Sequence, residues 1–239
     1  MKANRFIRYL KEYPQLFWEW LKILGLLFIG IWKVLRLPGP RVVFFGGARW
    51  HKEDAYFKHA QDLAQKLVEM DISIITGGGP GIMEAGNCGA AQGCKKGEIR
   101  SLAIGITGLK PEEPINHCAQ DAVSFDSFFV RKWLLINYSS GFVVFPGGFG
   151  TLDEMAEVLN LIETYKIKRV PVILFGKEYW SPLVEWLANY ALARGLINQQ
   201  ELEIITVTDD MEEVFCILAK HCTINKNEEI DKQKPSKSI

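Results

Sequence analysis

The sequence predicts an α/β protein built as a doubly wound parallel sheet with helices on both faces. Three observations predict it. From Arg41 onward, short apolar runs alternate with stretches whose apolar residues recur at helical spacing. The runs are close to continuously apolar, as strands covered on both faces must be. Three of them, residues 42–45, 72–75 and 142–145, break directly into glycine clusters. In such sheets ligands bind beyond the carboxyl ends of the strands, where the strand order reverses.

Residues 1–38 stand apart as a hydrophobic helical extension. Residues 16–37 are apolar and aromatic (Phe17, Trp18, Trp20, Phe28, Trp32), with Glu19, Lys22 and Lys33 among the few charges. The uninterrupted part, 23–32, is about half of what a membrane-spanning helix needs. No small-residue cleavage site follows it, so a signal peptide is not expected. Two readings are open. The helix packs on the domain or on a second subunit, or it makes a peripheral membrane contact through residues 16–37, with Lys22, Lys33 and Arg36 near the headgroups.

The domain proper is expected over residues 39–222. Strand 42–45 ends in Gly46-Gly47, and helical spacing follows over 54–70. Strand 72–75 ends in Gly77-Gly78-Gly79-Pro80-Gly81, followed by a helix from Ile82 to about Gln92. Strand 102–106, a polar loop over 108–120 and a short strand at 123–125 come next. A helix over 128–138 precedes strand 142–145. That strand turns at Pro146 through Gly147, Gly148 and Gly150 into a helix opening at Thr151. Strand 170–175, a helix from about Pro182 to Arg194, strand 204–207 and a helix over 211–221 complete the pattern. Residues 223–239 are charged and poor in apolar groups, so a disordered tail is expected there.

Composition excludes some functions. Lys plus Arg and Asp plus Glu are both 28, and this balance argues against a nucleic-acid binder. The five cysteines show no C-x-x-C pair, and their odd number without a secretory signal fits free thiols in the cytoplasm. His117 beside Cys118 is not metal-ligand spacing, so no metal is expected. No cofactor is expected either.

The stretch Pro146-Gly-Gly-Phe-Gly-Thr-Leu-Asp-Glu154 carries the chemistry. Glycines let a ligand approach the backbone, and the first N–H groups of the helix are unpaired and favour an anion. No lysine precedes Thr151, so it is not a Walker loop. Gly46-Gly47-Ala48-Arg49 does not fit the dinucleotide fingerprint. A monophosphate is the better ligand. Thr151 and Glu154 also form T-x-x-E, a capping box, which gives Glu154 a purely structural alternative. Arg131 and Lys132 read as a solvated cationic pair or, given the aromatic neighbours Phe128 and Phe129, as a grip on phosphate or base. Glu84 could merely favour a helix N-terminus, and His51 and Lys52 read as loop surface.

Together with Phe129-Val-Arg131-Lys132 and Gly77-Gly-Gly-Pro-Gly-Ile-Met-Glu84-Ala, that stretch resembles the Lonely Guy (LOG) family over about residues 40–220. The resemblance is to bacterial-type members. The family comprises nucleoside 5′-monophosphate phosphoribohydrolases, the cytokinin-activating enzymes among them, long mislabelled as lysine decarboxylases. It implies a Rossmann-like fold, a homodimer or larger homo-oligomer, and no metal. It implies an N-glycosidase that cleaves AMP or a related purine or cytokinin nucleotide to free base and ribose 5-phosphate. Arg131 and Glu154 would be catalytic, and residues 147–151 would hold the 5′-phosphate. The substrate-binding set is then Gly46, Gly47, Gly78, Gly79, Gly81, Glu84, Lys132, Gly147, Gly148, Gly150 and Thr151. Asn160 stands where short members often carry threonine, which leaves base preference open. The rival reading is a non-catalytic nucleotide or cofactor carrier of the same fold. A pyridoxal-dependent decarboxylase lacks a convincing Schiff-base lysine.

Overall fold

A computed structural model of the chain describes the backbone of residues 2–109 and 113–233, and side chains over 17–19, 21–109 and 113–223. The elements follow in chain order: α1 (Lys2–Arg36), β1 (Arg41–Phe45), α2 (Ala55–Glu69), β2 (Ser73–Thr76), α3 (Ile82–Gly93), β3 (Ser101–Ile106), β4 (Asp121–Phe125), α4 (Phe128–Asn137), β5 (Gly141–Val144), α5 (Phe149–Glu163), β6 (Val172–Phe175), α6 (Lys177–Trp186), α7 (Gln199–Leu202), β7 (Ile205–Thr208) and α8 (Met211–Gln233). The seven strands form one parallel sheet in the order β4-β3-β2-β1-β5-β6-β7.

Each strand residue sends its side chain to the face opposite its neighbour's, so one strand supplies two cores. Val43, Phe45, Ile75, Phe142 and Val144 pack on one face with α1, α4, α5 and Trp180 of α6. Val42, Phe44, Ile74, Val143 and Phe145 pack on the other with α2, α3 and α8. This double cover is why the strands read as unbroken apolar runs. From β1 the chain winds outward to β4, then returns to pair β5 along the free side of β1. The reversal opens a crevice above the carboxyl ends of β1 and β5.

The structure departs from the sequence expectation at several ends. α5 begins at Phe149, ahead of Thr151, with Gly148 as its N-cap. α6 begins at Lys177 after Gly176 in the left-handed region, contains Pro182, and passes into a π-helical turn at Leu187–Ala191. α7 is a single turn that strand–helix alternation does not anticipate. It is set by a capping box between Asn198 and Glu201. α8 continues to Gln233, past Thr223, where the disordered tail was expected. The segment holds good helix formers and meets neither glycine nor proline before Pro235, so the helix has no stop signal there. The rest of the expected tail, 234–239, lies outside the described residues.

The extension before the domain is one long helix docked by its inner face. Val34 and Leu37 are buried. A Cβ on Gly30 would meet Leu134 Cδ1 at 2.5 Å and Phe125 Cζ at 2.9 Å, so the backbone approaches β4 and α4 closely there. Lys33 forms an ion pair with Asp121 at the start of β4.

Candidate active site

The crevice at the sheet reversal has a volume of about 290 Å³. Gly46, Gly77, Gly79 and Gly105 lie at its strand ends, Gly148, Gly150, Thr151 and Glu154 on the α5 side, and Phe128 and Arg131 on α4. A second hollow adjoins it, lined by Gly47, Arg49, Trp50, Pro146, Gly147, Phe149 and Tyr179, with Gly148 shared between the two. All three glycine clusters therefore meet at one place.

Turn geometry explains the glycines. Gly81 sits at φ +69°, and a Cβ there would stand 2.3 Å from the Gly47 carbonyl oxygen. The Ile82 N–H donates to that oxygen at 3.2 Å, locking the second cluster to the first. The third joins through the Gly47 N–H, which donates to the Pro146 carbonyl at 3.0 Å; Trp50 Nε1 donates to the same oxygen at 2.7 Å. The Tyr179 hydroxyl donates to the Gly147 carbonyl at 2.5 Å. The loop between β5 and α5 is thus fixed from outside. A Cβ on Gly148 or Gly150 would meet no protein atom within 4 Å, so that side of the loop faces open space. The N–H groups of residues 149–151 precede the first intrahelical donor, Leu152, which bonds the Gly148 carbonyl. Among the described residues they have no backbone partner, and they stand at the positive end of α5.

Arg131 is held in the crevice floor. The α4 face bearing Val130, Leu134 and Leu135 is buried in the core, and this places Arg131 over the end of β3. Its Nε donates to the Ile104 carbonyl at 3.0 Å, and its Nη1 donates to Glu154 Oε1 at 2.7 Å. Nη2 lies where a Cβ on Gly77 would be only 2.2 Å away. Both charged side chains are largely buried, 10% exposed for Arg131 and 13% for Glu154. Burial pushes the Glu154 carboxyl above the usual carboxylate range, although the neighbouring Arg131 charge pulls the other way. The capping-box reading of Glu154 does not hold: Thr151 is the third helical residue, Gly148 is the cap, and the carboxylate bonds Arg131 instead.

Several expected site residues lie elsewhere. Lys132, one position round α4, pairs with Asp153 at 3.1 Å and Glu157 at 2.6 Å outside the crevice. Glu84 pairs with Lys52 at 3.3 Å and with His117 Nδ1 at 3.6 Å; Lys52 is the exposed loop residue that the sequence suggested. Gly78 is covered by Ile115, and Gly81 is a turn residue rather than a lining one. Sequence reasoning missed Met83, Ile115, Trp50 and Tyr179. It also missed a second carboxylate in the crevice, Glu113, whose Oε2 lies 3.0 Å from where a Cβ on Gly79 would be. Glu113 sits in an irregular loop with no periodic pattern, so nothing local marks it.

The loop carrying Glu113 is tied down behind the crevice. Asn116 Nδ2 donates to the carbonyls of Gly78 at 2.9 Å and Gly79 at 3.1 Å, and Asn87 Nδ2 donates to Asn116 Oδ1 at 3.3 Å. Cys118 forms a disulfide with Cys88 of α3, which corrects the expectation of free thiols at these two positions. Thirty residues separate them in sequence, and only the fold brings them together. Ligand atoms of Cys88, His117 and Cys118 lie within 4.8 Å of one another, a proximity that the spacing of His117 and Cys118 did not suggest. In the disulfide neither sulfur is a thiolate, the form a metal requires. Cys222 is a buried free thiol pushed up to about 11 by burial, so it is inert at neutral pH.

Comparison with known proteins fits this geometry. Residues 83–218 match a family model described as "Possible lysine decarboxylase". The chain is 27% identical over 183 residues to a probable cytokinin riboside 5′-monophosphate phosphoribohydrolase of Oryza sativa, covering 76% of this chain and 72% of that one. It is 30% identical over 159 residues to the pyrimidine/purine nucleotide 5′-monophosphate nucleosidase of Escherichia coli, covering 63% of this chain and 35% of that one. Among solved structures it shares its fold with the molybdenum cofactor binding protein of Rippkaea orientalis, at TM-score 0.52 and 21% identity over 80% of this chain and 98% of that one. It also shares it with the molybdenum cofactor carrier protein of Chlamydomonas reinhardtii, at TM-score 0.55 and 15% identity over 77% of this chain and 99% of that one.

Proposed function

For a chain that belongs to the LOG family, the one whose model is described as "Possible lysine decarboxylase", we propose hydrolysis of the N-glycosidic bond of a nucleoside 5′-monophosphate to free base and ribose 5-phosphate. AMP or a related purine or cytokinin nucleotide is the substrate class. The observation that carries the reading is the buried Arg131–Glu154 pair beside the unpaired N-terminal donors of α5. A 5′-phosphate on those donors anchors the ribose at the mouth of the two hollows. Its binding energy holds C1′ in place for the chemistry.

Leaving of the base builds positive charge on the ribose. The Glu154 carboxylate, largely buried, offsets that charge and orients the attacking water. Arg131 favours the ionised form of Glu154 against the effect of its burial, and its own bond to Ile104 fixes the pair. Glu113, which also lines the crevice, would assist proton movement at the leaving base.

The enzyme acts as a homodimer. Phe129 is 74% exposed and Phe149 is 92% exposed beside the crevice, apolar groups suited to burial against a second copy.

Incubating the protein with a panel of nucleoside monophosphates and assaying ribose 5-phosphate tests the reading. Release from AMP but not from adenosine is expected. Equal turnover of the two would rule out phosphate anchoring, and tight AMP binding without turnover would make the protein a carrier.

A further inference from the structure

The outward face of α1 carries six large apolar side chains in a single stripe: Phe17, Leu21, Leu24, Phe28, Trp32 and Leu35. Their spacing of three and four residues places them on one side of the helix. All are exposed, Phe28 to 69%, while on the opposite side Ile23, Leu26, Leu27 and Ile31 are half-buried and Gly30 and Val34 buried against the domain. The helix is thus apolar on two faces, and the domain uses only one. An exposed apolar stripe of this length marks a contact surface.

Charge identifies what covers it. Residues 1–37 carry seven Lys or Arg against two Glu, in a chain with 28 of each sign. The rest of the molecule is therefore acidic, and the positive excess is concentrated on this one segment. Lys22 and Arg36 lie on the exposed part of α1, and the Arg36 guanidinium sits 4.4 Å above the Trp32 ring. A tryptophan with a stacked arginine at the edge of an apolar stripe suits the level of lipid headgroups, where the ring is half buried and the cation reaches phosphate. Symmetric pairing of two α1 helices would instead bring two positive segments together. No helix among the described residues is long and apolar enough to cross a membrane.

We propose that α1 lies in the plane of an anionic phospholipid surface, with Phe17, Leu21, Leu24, Phe28, Trp32 and Leu35 inserted among the acyl chains and Lys22 and Arg36 at the phosphates. The inference is independent of the catalytic reading, because it rests on residues that do not line the crevice.

Flotation of the full-length protein with vesicles tests it, using phosphatidylcholine alone and phosphatidylcholine mixed with phosphatidylglycerol. The protein is expected to float with the mixed vesicles and to stay behind with the neutral ones. The double substitution Phe28→Glu, Trp32→Glu changes only exposed positions, so the melting temperature should hold while the partition coefficient falls roughly a hundredfold. Lys22→Glu with Arg36→Glu should weaken binding to the anionic vesicles by roughly tenfold or more. Failure of the wild-type protein to float with anionic vesicles would overturn the proposal, as would undiminished flotation of the Phe28, Trp32 variant. A fall in lipid-free molecular mass for that variant would also overturn it, by assigning the face to a second copy.

Discussion

Glu154 is where charge, burial and chemistry meet. Its carboxyl is raised above the usual range by burial and partly restored by Arg131. The folded state therefore holds this proton more tightly than the unfolded chain does. The contribution to stability is greatest at acid pH and is lost as pH rises through the raised value. Activity runs the opposite way, since only the carboxylate offsets charge on the ribose. The acid limb of kcat/KM for AMP should lie above that of an ordinary glutamate, and Arg131→Gln should move it higher still by removing the cation; a limb left unmoved would detach Glu154 from Arg131. Glu154→Gln keeps shape and removes charge, so kcat should fall by roughly a hundredfold or more at near-native melting temperature. Near-normal turnover in that variant would remove Glu154 from the chemistry and leave Glu113 as the remaining acid. Arg131→Ala leaves a buried carboxylate unpaired at neutral pH and should cost about 3 kcal/mol or more in chemical denaturation, with the loss shrinking at acid pH as Glu154 takes up a proton.

At the scale of elements, the site depends on loops pressed against helix ends. The β2–α3 turn passes so close to α4 that Gly77→Ala would place its methyl 2.2 Å from Arg131 Nη2 and 2.8 Å from Met83 Sδ. The arginine must shift, and if it leaves Glu154, AMP turnover should drop by roughly tenfold or more with the fold retained, as one misplaced electrostatic contact does. Comparable turnover would mean that the guanidinium position is not critical. The loop carrying Glu113, Ile115 and Asn116 is pinned to α3 by the Cys88–Cys118 disulfide. Cys118→Ser should lower the stability of the oxidised protein by about 2–4 kcal/mol. It should do little under reducing conditions, and a thermal melt with and without reductant separates the two.

At the scale of the whole molecule, the rim of the crevice and the outer face of α1 are both apolar and exposed. If the rim pairs with a second copy, Phe129→Glu with Phe149→Glu should halve the molecular mass seen by light scattering, while substitutions on α1 leave it unchanged. An unaltered mass would show that the dimer, if present, uses another face. The two surfaces lie on different elements, so one can be disabled without the other.

The sequence by itself determined the sheet, because a strand covered on both faces must be apolar at every position and a helix must repeat its apolar residues near every third or fourth. It also determined the glycine crevice, because all three clusters follow strands at the same end of a parallel sheet. Arg131 and Glu154 were legible through the family signature. The tertiary structure shows which contacts each side chain makes. Thr151 and Glu154 read as a capping box until the helix start at Phe149 is known, and Lys132 reads like Arg131 until α4 is rotated onto the core. The structure alone brought Cys88 to Cys118 and Glu113 into the crevice. These are contacts between segments far apart in the chain, set by the winding of strands around β1 rather than by any local pattern. The same holds for α1: its apolar character is plain in the sequence, but which of its faces the domain covers is settled only by the close approach of Gly30 to Leu134 and Phe125.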